Sequence, residues 1–509
     1  MGILDLFRRK PPVTAPVVIH RGRNFAAAAK VARYGDMKAS RGSADTELVN
    51  ALAEVRAKAR YLGRNSPAMR RYIQLMRMNI LGQHGFRFQS RVRRADGSMD
   101  KTLNDRVETQ WMLWWDQPHV DGRTTGIDTL RTTIAQWCQD GEVLWELVVN
   151  PIYRDRVAIN PLEPDYLDET LNTVNPATGQ QIRMSVEYDP RGRIVAYHLL
   201  TSHPGDMTWY RPETNTRYRR VPAENIIHVR DAERAGQTRG TPPAASIINP
   251  VKMLDGYREA TTVGRRLRAA LMGFFYREQP GPAGIAEIAD TQDDTDHMLE
   301  MTMEPGVLKE LPAGLRFDKF DPGGEQTDYK AFVHQEKTEI ATGLGISVMS
   351  LGMETSGVSY SAGRTITVED RDYYREMQAF FIRNAMVPLF KFWLRMNMLS
   401  ETSDIPPSRM DAVLAKHVFR ARGWDWVDPA KDVKANAEAI ATGQKSLTAI
   451  LAERGVDIDD HLDEIEAERQ AIEDKGLTFV IAGDKPDAAA EDSDPNDDDG
   501  NAKPGSTNQ

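Results

Sequence analysis

The side chains that could do chemistry lie far apart in the chain, and none of them completes a catalytic motif. Ser359 is the best candidate nucleophile, and a hydrolase would need a base such as His334 or His417 to activate it. The stretch 357–363 around this serine is too long for a Gly-x-Ser-x-Gly elbow, and it follows a predicted helix instead of a strand. The sequence therefore predicts that the chain is not an enzyme, with a hydrolase kept as the alternative.

Metal and nucleotide sites have equally little support. His198, His203 and His228 fall in one strand-rich region, with Asp206 near His203, but no pair has His-x-His or His-x-x-x-His spacing. The segment 443–446 ends in Lys-Ser but lacks the Gly-Lys pair of a phosphate-binding loop. We expect no metal and no cofactor, so any motor activity must come from another protein.

The charge distribution argues against tight binding of nucleic acid. The 509 residues carry a formal charge of −9, and the stretch 484–509 holds eight acids and two lysines, which leaves about −3 for the rest. A strong nucleic-acid clamp is usually basic. Arg70, Arg71 and Arg77 could form a basic stripe on one helix, but a solvated helix face is the favoured interpretation.

Cysteine content and hydropathy point to a reducing compartment and to no membrane segment. Cys138 is the one cysteine, so no disulfide can form within the chain, and an apolar helical position predicts that it is buried. The first residues, MGILDLFRRK, place basic residues after the apolar ones, the wrong order for a signal peptide. No apolar run is long enough to span a bilayer.

The elements before residue 239 predict helices followed by a strand-rich region. Helices are expected at about 45–61 and 65–81, and a further helix carries Trp111, Trp114 and Trp115 on one face. Those indoles are more typical of a packing stripe than of a ligand site. From 142 to 230 the apolar period approaches two, which predicts an antiparallel region of about six short strands and an α+β fold overall.

The stretch 239–399 has an order that suits a subunit lining a passage. A long helix is predicted over 242–275, then an irregular insert over 276–324, a helix over 325–344, a loop over 345–363 and a long helix over 364–399. Pro388 should kink the last helix. Arg258 and Arg265 share one face of the first helix, which could meet DNA, solvent or a neighbouring subunit.

Several segments in a particular order resemble the lambda-type portal proteins of tailed bacteriophages. The resemblance extends over roughly 44–477. The segments that carry it are Asp140-Gly141-Glu142, NPLEPDYLD (160–168), YDPRGRIVAYHL (188–199), VPAENIIHV (221–229), Gly236-Gln237 with Arg239-Gly240-Thr241-Pro242, MEPGVLKELPAG (303–314), IATGLGIS (340–347), GVSYSAGR (357–364) and GWDWVDPAKD (423–432). No single segment is diagnostic, but their order and spacing together are specific.

The resemblance implies a portal fold and a place for each segment in it. These are an irregular N-terminal arm (1–44), a wing of helices and a β-rich part (45–238), a first stem helix (239–275), a clip (276–324), a second stem helix (325–344), a tunnel loop (345–363), a long kinked wing helix (364–399), a crown of C-terminal helices (400–483) and a disordered acidic tail (484–509).

The resemblance also implies a function and partners. Portal proteins form a ring, usually of twelve subunits, at one capsid vertex, and DNA enters and leaves through it. The implied partners are further copies of the chain, the large terminase subunit, head–tail connector or adaptor proteins, major capsid and scaffold proteins, and passing double-stranded DNA. The expected location is the virion, with assembly in the host cytoplasm and no membrane contact.

The implied channel residues lie in the tunnel loop and on the first stem helix. They are Glu354, Thr355, Ser356, Gly357, Val358, Ser359, Tyr360 and Ser361 in the loop, with Arg258 and Arg265 on the helix. The family commonly has Asn at the position of Ser359 and Ser at that of Ala362, so a polar contact made there by other members is in question. A head–tail adaptor is the second alternative, although adaptors are usually shorter and lack paired stem helices.

Overall fold

The fold is taken from a computed structural model of the chain. It describes residues 41–207, 216–269, 273–277, 315–319, 327–354, 357–401, 403–424, 429–453, 456 and 458–476. Most of the predicted N-terminal arm, the acidic tail and most of the predicted clip lie outside these residues, as do Thr355 and Ser356 of the predicted loop. In the part of the chain that is described, no helix has the length and apolar content needed to cross a bilayer.

The described α-helices are α1 (Ala44–Leu48), α2 (Leu52–Asn65), α3 (Pro67–Ile80), α4 (Lys101–Trp115), α5 (Gly126–Asp140), α6 (Ile248–Ala269), α7 (Thr327–Gly343), α8 (Val348–Gly352), α9 (Tyr360–Phe381), α10 (Val387–Asn397), α11 (Met410–Ala415), α12 (Pro429–Ala441), α13 (Leu447–Glu453) and α14 (Ile458–Asp474). The described strands are β1 (Arg87–Ser90), β2 (Glu142–Val149), β3 (Val157–Leu162), β4 (Thr173–Val174), β5 (Gln181–Arg183), β6 (Val186–Tyr188), β7 (Ile194–Leu200), β8 (Tyr218–Pro222), β9 (Ile226–Arg230), β10 (Gly273–Arg277), β11 (Leu315–Lys319) and β12 (His417–Arg420).

The chain divides into two compact units, and the fold is α+β. Unit 1 comprises Met1–Arg70, Gln136–Val148 and Asn160–Leu344, and unit 2 comprises Arg71–Ala135, Val149–Ile159 and Gly345–Gln509, each as far as it is described. The predicted wing, 45–238, contributes to both units. The nine-part segment assignment therefore stays a prediction.

Unit 1 contains an antiparallel sheet in the order β4–β5–β6–β7–β8, and β9 pairs antiparallel with β2. The antiparallel strand-rich region predicted from the alternating pattern is thus confirmed. Alternate residues of these strands face one apolar core because side chains of a strand point to opposite faces. Its buried members are Leu144, Leu162, Leu167, Val186, Tyr197, Leu199, Val221 and Ile226.

Helices α6 and α7 pack against each other, also in unit 1. The Tyr257 ring lies 4.3 Å from that of Phe332 and stacks at 5.7 Å on that of Tyr329, measured between centroids. A Cβ at Gly343 would lie 2.6 Å from Cγ2 of Ile247, so the two segments approach too closely there for a larger residue.

The first long helix is shorter than predicted. Residues 243–247 form a 3₁₀ turn, α6 runs from Ile248 to Ala269, and Phe274 and Phe275 lie in strand β10 instead of a helix. Aromatic residues favour strands when a partner strand is present. Here β10 pairs antiparallel with β11, which lies in the insert predicted to be mostly irregular.

The core of unit 2 is an aromatic cluster centred on Trp111. This indole is 2% exposed and contacts the rings of Phe88, Trp114, Trp393 and Phe390 at centroid distances between 5.1 and 5.6 Å. Such offset and edge-to-face contacts add to the large apolar area that aromatic residues bury. The packing stripe predicted for the tryptophans of α4 is confirmed.

The third long helix begins earlier than predicted and contains a π-helical segment. Helix α9 starts at Tyr360, residues 382–386 form π turns, and α10 follows with Pro388 in its first turn. Proline has no N–H to donate to the preceding turn, so a wider turn just before it avoids a broken α-helical hydrogen bond. Pro388 was predicted to kink this helix, and the structure shows a π-helical segment directly before it; the kink itself stays a prediction.

Two glycines of unit 1 let the backbone leading into α6 pass against the start of β2. Gly141 has φ +78°, and a Cβ on it would lie 2.2 Å from the backbone carbon and oxygen of Thr241. A Cβ on Gly240 would lie 2.2 Å from the Gly141 oxygen. No side chain fits at either position without moving backbone.

We expect Gly141→Ala to destabilise the protein by about 3 kcal/mol or more, because strain of a left-handed residue adds to an overpacked backbone contact. Gly97→Ala is the matched control: Gly97 has φ +87° with nothing within 4 Å of its Cβ position, so it should cost only about 1–2 kcal/mol. Urea unfolding of both variants gives the comparison. Equal losses would contradict the close approach.

Candidate nucleic-acid interface

Two parts of the predicted tunnel loop are helical. Helix α8 occupies 348–352, and α9 already begins at Tyr360, so Tyr360 and Ser361 are helical residues and not loop residues. The link between the two helices is not helical in its described residues, 353, 354 and 357–359. Met353 and Gly357 in this link have φ of 52° and 82°.

Asp370 explains why α8 forms within this stretch. Its buried carboxylate accepts hydrogen bonds from the Ser347 amide at 2.9 Å, the Ser347 hydroxyl at 2.6 Å and the Ser350 hydroxyl at 2.5 Å. The Ser347 hydroxyl in turn accepts from the Ser350 amide, as a helix N-cap does. The carboxylate thus ties α8 to the long helix α9.

Ser359 has a structural role as the N-cap of α9. Its Oγ accepts a hydrogen bond from the Ala362 amide at 3.3 Å. Asparagine is an equally good N-cap residue. The Asn that the resemblance implies at this position could also cap the helix, so Ser359 keeps that capacity.

The side chains beside this cap face outward. Val358 is 37% exposed and Tyr360 is 65% exposed, and Ser361 is exposed as well. An apolar and an aromatic side chain projecting from a short link could contact a passing polymer without a specific hydrogen bond. They are accessible members of the predicted loop among the described residues, as is Met353, which is 74% exposed.

The two arginines predicted on α6 differ in their surroundings. The Arg265 guanidinium carbon lies 4.9 Å from the centroid of the Tyr329 ring, a cation–π contact with α7. Arg258 is half-buried on the same helix, two turns away. The contact with Tyr329 gives Arg265 a role within the α6–α7 pair, whereas Arg258 has no such ring contact in the described residues.

His417, one of the two histidines considered as a base for Ser359, lies in unit 2 and has a packing role there. His417 Nδ1 lies 2.9 Å from the Leu414 carbonyl, and its ring contacts that of Phe390 in a tilted arrangement, with the centroids 4.8 Å apart. Burial lowers the pKa of His417. His334 belongs to unit 1, where Thr338 donates to its carbonyl oxygen.

A buried cluster of charges that the sequence analysis did not single out fixes the chain just before α6. Glu142 is 0% exposed, and its two carboxylate oxygens accept from Arg56, Arg239, the Gly240 amide and His228 at distances of 2.8 to 3.1 Å. Arg239, also 0% exposed, donates to the carbonyls of Leu167 and Pro164. Strand β2, helix α2 and the lead-in to α6 therefore meet at one carboxylate.

The electrostatics of this cluster keep Glu142 ionised. Burial alone would raise the pKa of Glu142, but Arg239, His228 and Arg56 outweigh it and hold the pKa well below its usual range. Burial lowers the pKa of His228 despite the attraction of the carboxylate, so the imidazole is neutral at pH 7 and donates through Nε2.

A second group of acids surrounds Arg60 at the edge of the cluster. Its guanidinium donates to Asp140 at 2.6 and 2.9 Å, and it lies against the carboxylates of Asp165 and Glu163. Glu163, Asp165 and His203 have ligand atoms within 4.8 Å of one another, as a metal site would. The Arg60 guanidinium already supplies positive charge between these two carboxylates, so the group forms an ion-pair cluster.

The residues at the centre of this cluster lie in segments that carry the family resemblance. Asp140, Gly141, Glu142, Arg239 and Gly240 belong to two of the short segments that carried the family resemblance. Their spacing of about a hundred residues gave no indication that they meet. Only the fold shows that one segment supplies the carboxylate and the other the guanidinium.

We expect His228 to make the protein lose stability when the pH falls. Its folded-state pKa is depressed, so the unfolded chain binds the proton more readily, and stability present above about pH 6.5 is lost below it. In His228→Gln, which keeps a donor for Glu142, the loss of unfolding free energy between pH 7.5 and 5.5 should shrink by about 1 kcal/mol. His417→Gln is a second test: burial also lowers the pKa of His417, so the loss of stability at low pH should shrink in this variant too. An unchanged pH profile in His228→Gln would contradict the assignment.

Comparison with known proteins identifies the family to which this chain is similar. The family model described as "Phage portal protein, lambda family" matches residues 31–378. A probable portal protein of Halomonas phage phiHAP-1 is 30% identical over 86% of this chain and 84% of its own length. Portal protein B of Escherichia phage lambda is 24% identical over 82% of this chain and 83% of its own length.

Among solved structures, a chain in the neck of an empty GTA particle is similar over 79% of this chain and 93% of its own length, with a TM-score of 0.42 and 14% identity. That likeness is too loose to carry an argument about this chain. The family match, which covers more than half of the residues, needs no support from it. The chain therefore belongs to the lambda family of phage portal proteins.

Proposed function

We propose that copies of this chain, about twelve, form a ring at one vertex of a phage head, and that double-stranded DNA passes through it during packaging and ejection. The observation that carries the proposal is the family match over residues 31–378. The ring is a passive channel in this proposal, since the sequence lacks a phosphate-binding loop. The large terminase subunit would supply the energy for translocation.

The α6–α7 pair supports assembly into a ring. The apolar stripe of α6 is buried at Val251 and Leu254, but Val263 further along the same stripe is 46% exposed. Helix α6 thus extends beyond the apolar cover that its own chain provides in the described residues. A neighbouring copy of the pair is the occupant we propose for the uncovered part, which makes this pair the stem of the ring.

The remaining partners follow from the same assignment. The segment 276–324 would be the clip that docks the terminase and later the head–tail connector. Major capsid and scaffold proteins would surround the ring during assembly in the host cytoplasm. The link, the first residues of α9 (Tyr360 and Ser361) and Arg258 would line the bore, where DNA slides past without sequence-specific contacts.

Electron microscopy of the purified full-length chain tests the proposal directly. We expect negatively stained particles to be rings with a central hole, because a portal subunit buries its stem faces against its neighbours. A matched sample of Val263→Glu, which places a charge on the uncovered part of α6, should give fewer rings. Compact single subunits in the unchanged protein would contradict the ring, and would favour the adaptor or enzyme alternatives.

The role of the link in DNA retention has its own test. Val358→Ser with Tyr360→Ser removes the outward side chains and leaves the Ser359 cap of α9 intact. We expect rings to assemble normally and packaged heads to lose DNA more readily, because the side chains that narrow the bore are gone. Ser359→Ala is the control for the helix cap and should cost about 1 kcal/mol of stability. Unchanged DNA retention in the double variant would remove the link from the mechanism.

A further inference from the structure

The β1–β12 ribbon of unit 2 has one covered edge, which belongs to β1. Arg91 donates its amide to the Lys416 carbonyl at 2.8 Å, so alternation along an antiparallel pair points the amide of Ser90 away from β12. Glu108 of α4 accepts a hydrogen bond from that Ser90 amide at 2.7 Å. The outer edge of β1 is therefore covered by a side chain of its own unit.

The outer edge of β12 is open. By the same alternation, the N–H and C=O groups of Phe419 point away from β1. The ribbon has two strands in the described part of the chain, and neither of these Phe419 groups has a hydrogen-bond partner there. An unpaired strand edge is a place where an extended segment can add as a further strand.

A cleft with several apolar side chains lies along this open edge. Its volume is about 570 Å³, and its apolar lining includes Val418 and Phe419 of β12, Ala379 and Ile382 of α9 and Ala449 of α13. Val418 is 38% exposed. Charged residues also line the cleft, namely Arg375, Arg420, Arg422 and Glu453. An occupant of this cleft therefore needs apolar side chains together with main-chain groups that are free to pair.

The sequence directly after α14 has these properties. Residues 477–482 read LTFVIA and carry no charge, and aromatic and β-branched residues favour strands. In a strand, successive side chains point to opposite faces. The segment then has a large face, formed by Leu477, Phe479 and Ile481, and a small face, formed by Thr478, Val480 and Ala482.

The end of α14 projects from its own chain. Lys101 of α4 holds this helix through an ion pair of 3.1 Å with Asp463. Further along, residues 468–471 are all exposed, and four consecutive residues cover every face of a helical turn. Asp474 lies about 16 Å past Asp463 along the helix, whereas residues 475–476 span at most about 11 Å. That connection is too short to fold the segment back along the helix, so we assign the segment to a neighbouring copy.

We propose that residues 477–482 of a neighbouring copy add to the open edge of β12 as a third strand. The N–H and C=O groups of Phe419 pair with the main chain of the segment, and the large face lies on the side of the ribbon where the Phe419 ring is buried. Val418 points to the opposite side, next to the small face. Each subunit gives one strand and receives one, so the contact repeats around a ring. The proposal rests on the proposed function, because it needs a second copy beside the first.

Disulfide cross-linking of the purified full-length chain tests the proposal. Val418→Cys is combined in turn with Leu477→Cys, Thr478→Cys, Phe479→Cys, Val480→Cys, Ile481→Cys or Ala482→Cys. After mild oxidation, covalent multimers are measured on a non-reducing gel. A disulfide needs Cβ atoms about 4 Å apart. We therefore expect the highest yield at one position of the small face, and at least several-fold less at the positions directly before and after it, whose side chains point away.

Val149→Cys in place of Val418→Cys is the matched control. Val149 is also an exposed strand valine of unit 2, at 51%, and it does not line the cleft. It should give no preferred position along the segment. The native Cys138 is buried and stays unchanged in every variant.

Hydrogen exchange provides a second measurement that needs no added cysteine. Phe479→Asp with Ile481→Asp keeps the length of the segment and places charges on its large face, which opposes burial. We expect the Phe419 amide to exchange at least several-fold faster in this variant than in the unchanged protein, because it loses its hydrogen-bond partner.

The outcomes divide as follows. Cross-links between copies that peak on the small face, without such a peak in the Val149→Cys series, support the proposal. Equal yields along 477–482, a peak on the large face, a disulfide closed within one chain, or unchanged exchange of the Phe419 amide overturn it. Electron microscopy separates the two proposals: rings without the expected cross-links mean that the strand addition alone is wrong, whereas an absence of rings in the unchanged protein overturns the proposed function as well.

Discussion

One buried carboxylate constrains much of unit 1. Glu142 has no access to solvent and is bound by Arg56 from α2, Arg239 from the lead-in to α6 and His228 from β9. Removing either side of such a pair leaves a charge in a medium that cannot solvate it. Hydrophobic packing could hold these elements together loosely, but the fixed directions of the guanidinium donors also set their orientation. The start of α6 is positioned in this way.

The protein uses polar groups for placement at several other points. Asp370 ties α8 to α9, Ser359 starts α9, and Asp140 holds Arg60. Each of these side chains resembles a catalytic residue by type, but its contacts are with backbone amides, hydroxyls or guanidiniums of its own unit. In the described residues these polar contacts therefore position elements within their own units.

The sequence predicted the features that depend on local periodicity or on residue type. The antiparallel region and the tryptophan stripe of α4 follow directly from apolar spacing. Helix ends were predicted less well, because Ser347 and Ser359 cap helices within a stretch whose glycines and serines suggested a loop. The Glu142 cluster was out of reach, since a pairing of residues nearly a hundred positions apart depends on tertiary structure and leaves no periodic trace.

The π segment of the long helix has a consequence for how its buried face is spaced. Phe381, Ala385, Leu389, Trp393 and Asn397 are all 0% exposed, and each lies four residues after the last. In a straight α-helix, every step of four overshoots a full turn by about 40°, so five such positions would spiral over almost half of the circumference. The wide turns at 382–386 absorb part of that overshoot. The π segment therefore helps to keep buried residues spaced four apart on one face of a helix that has 3.6 residues per turn.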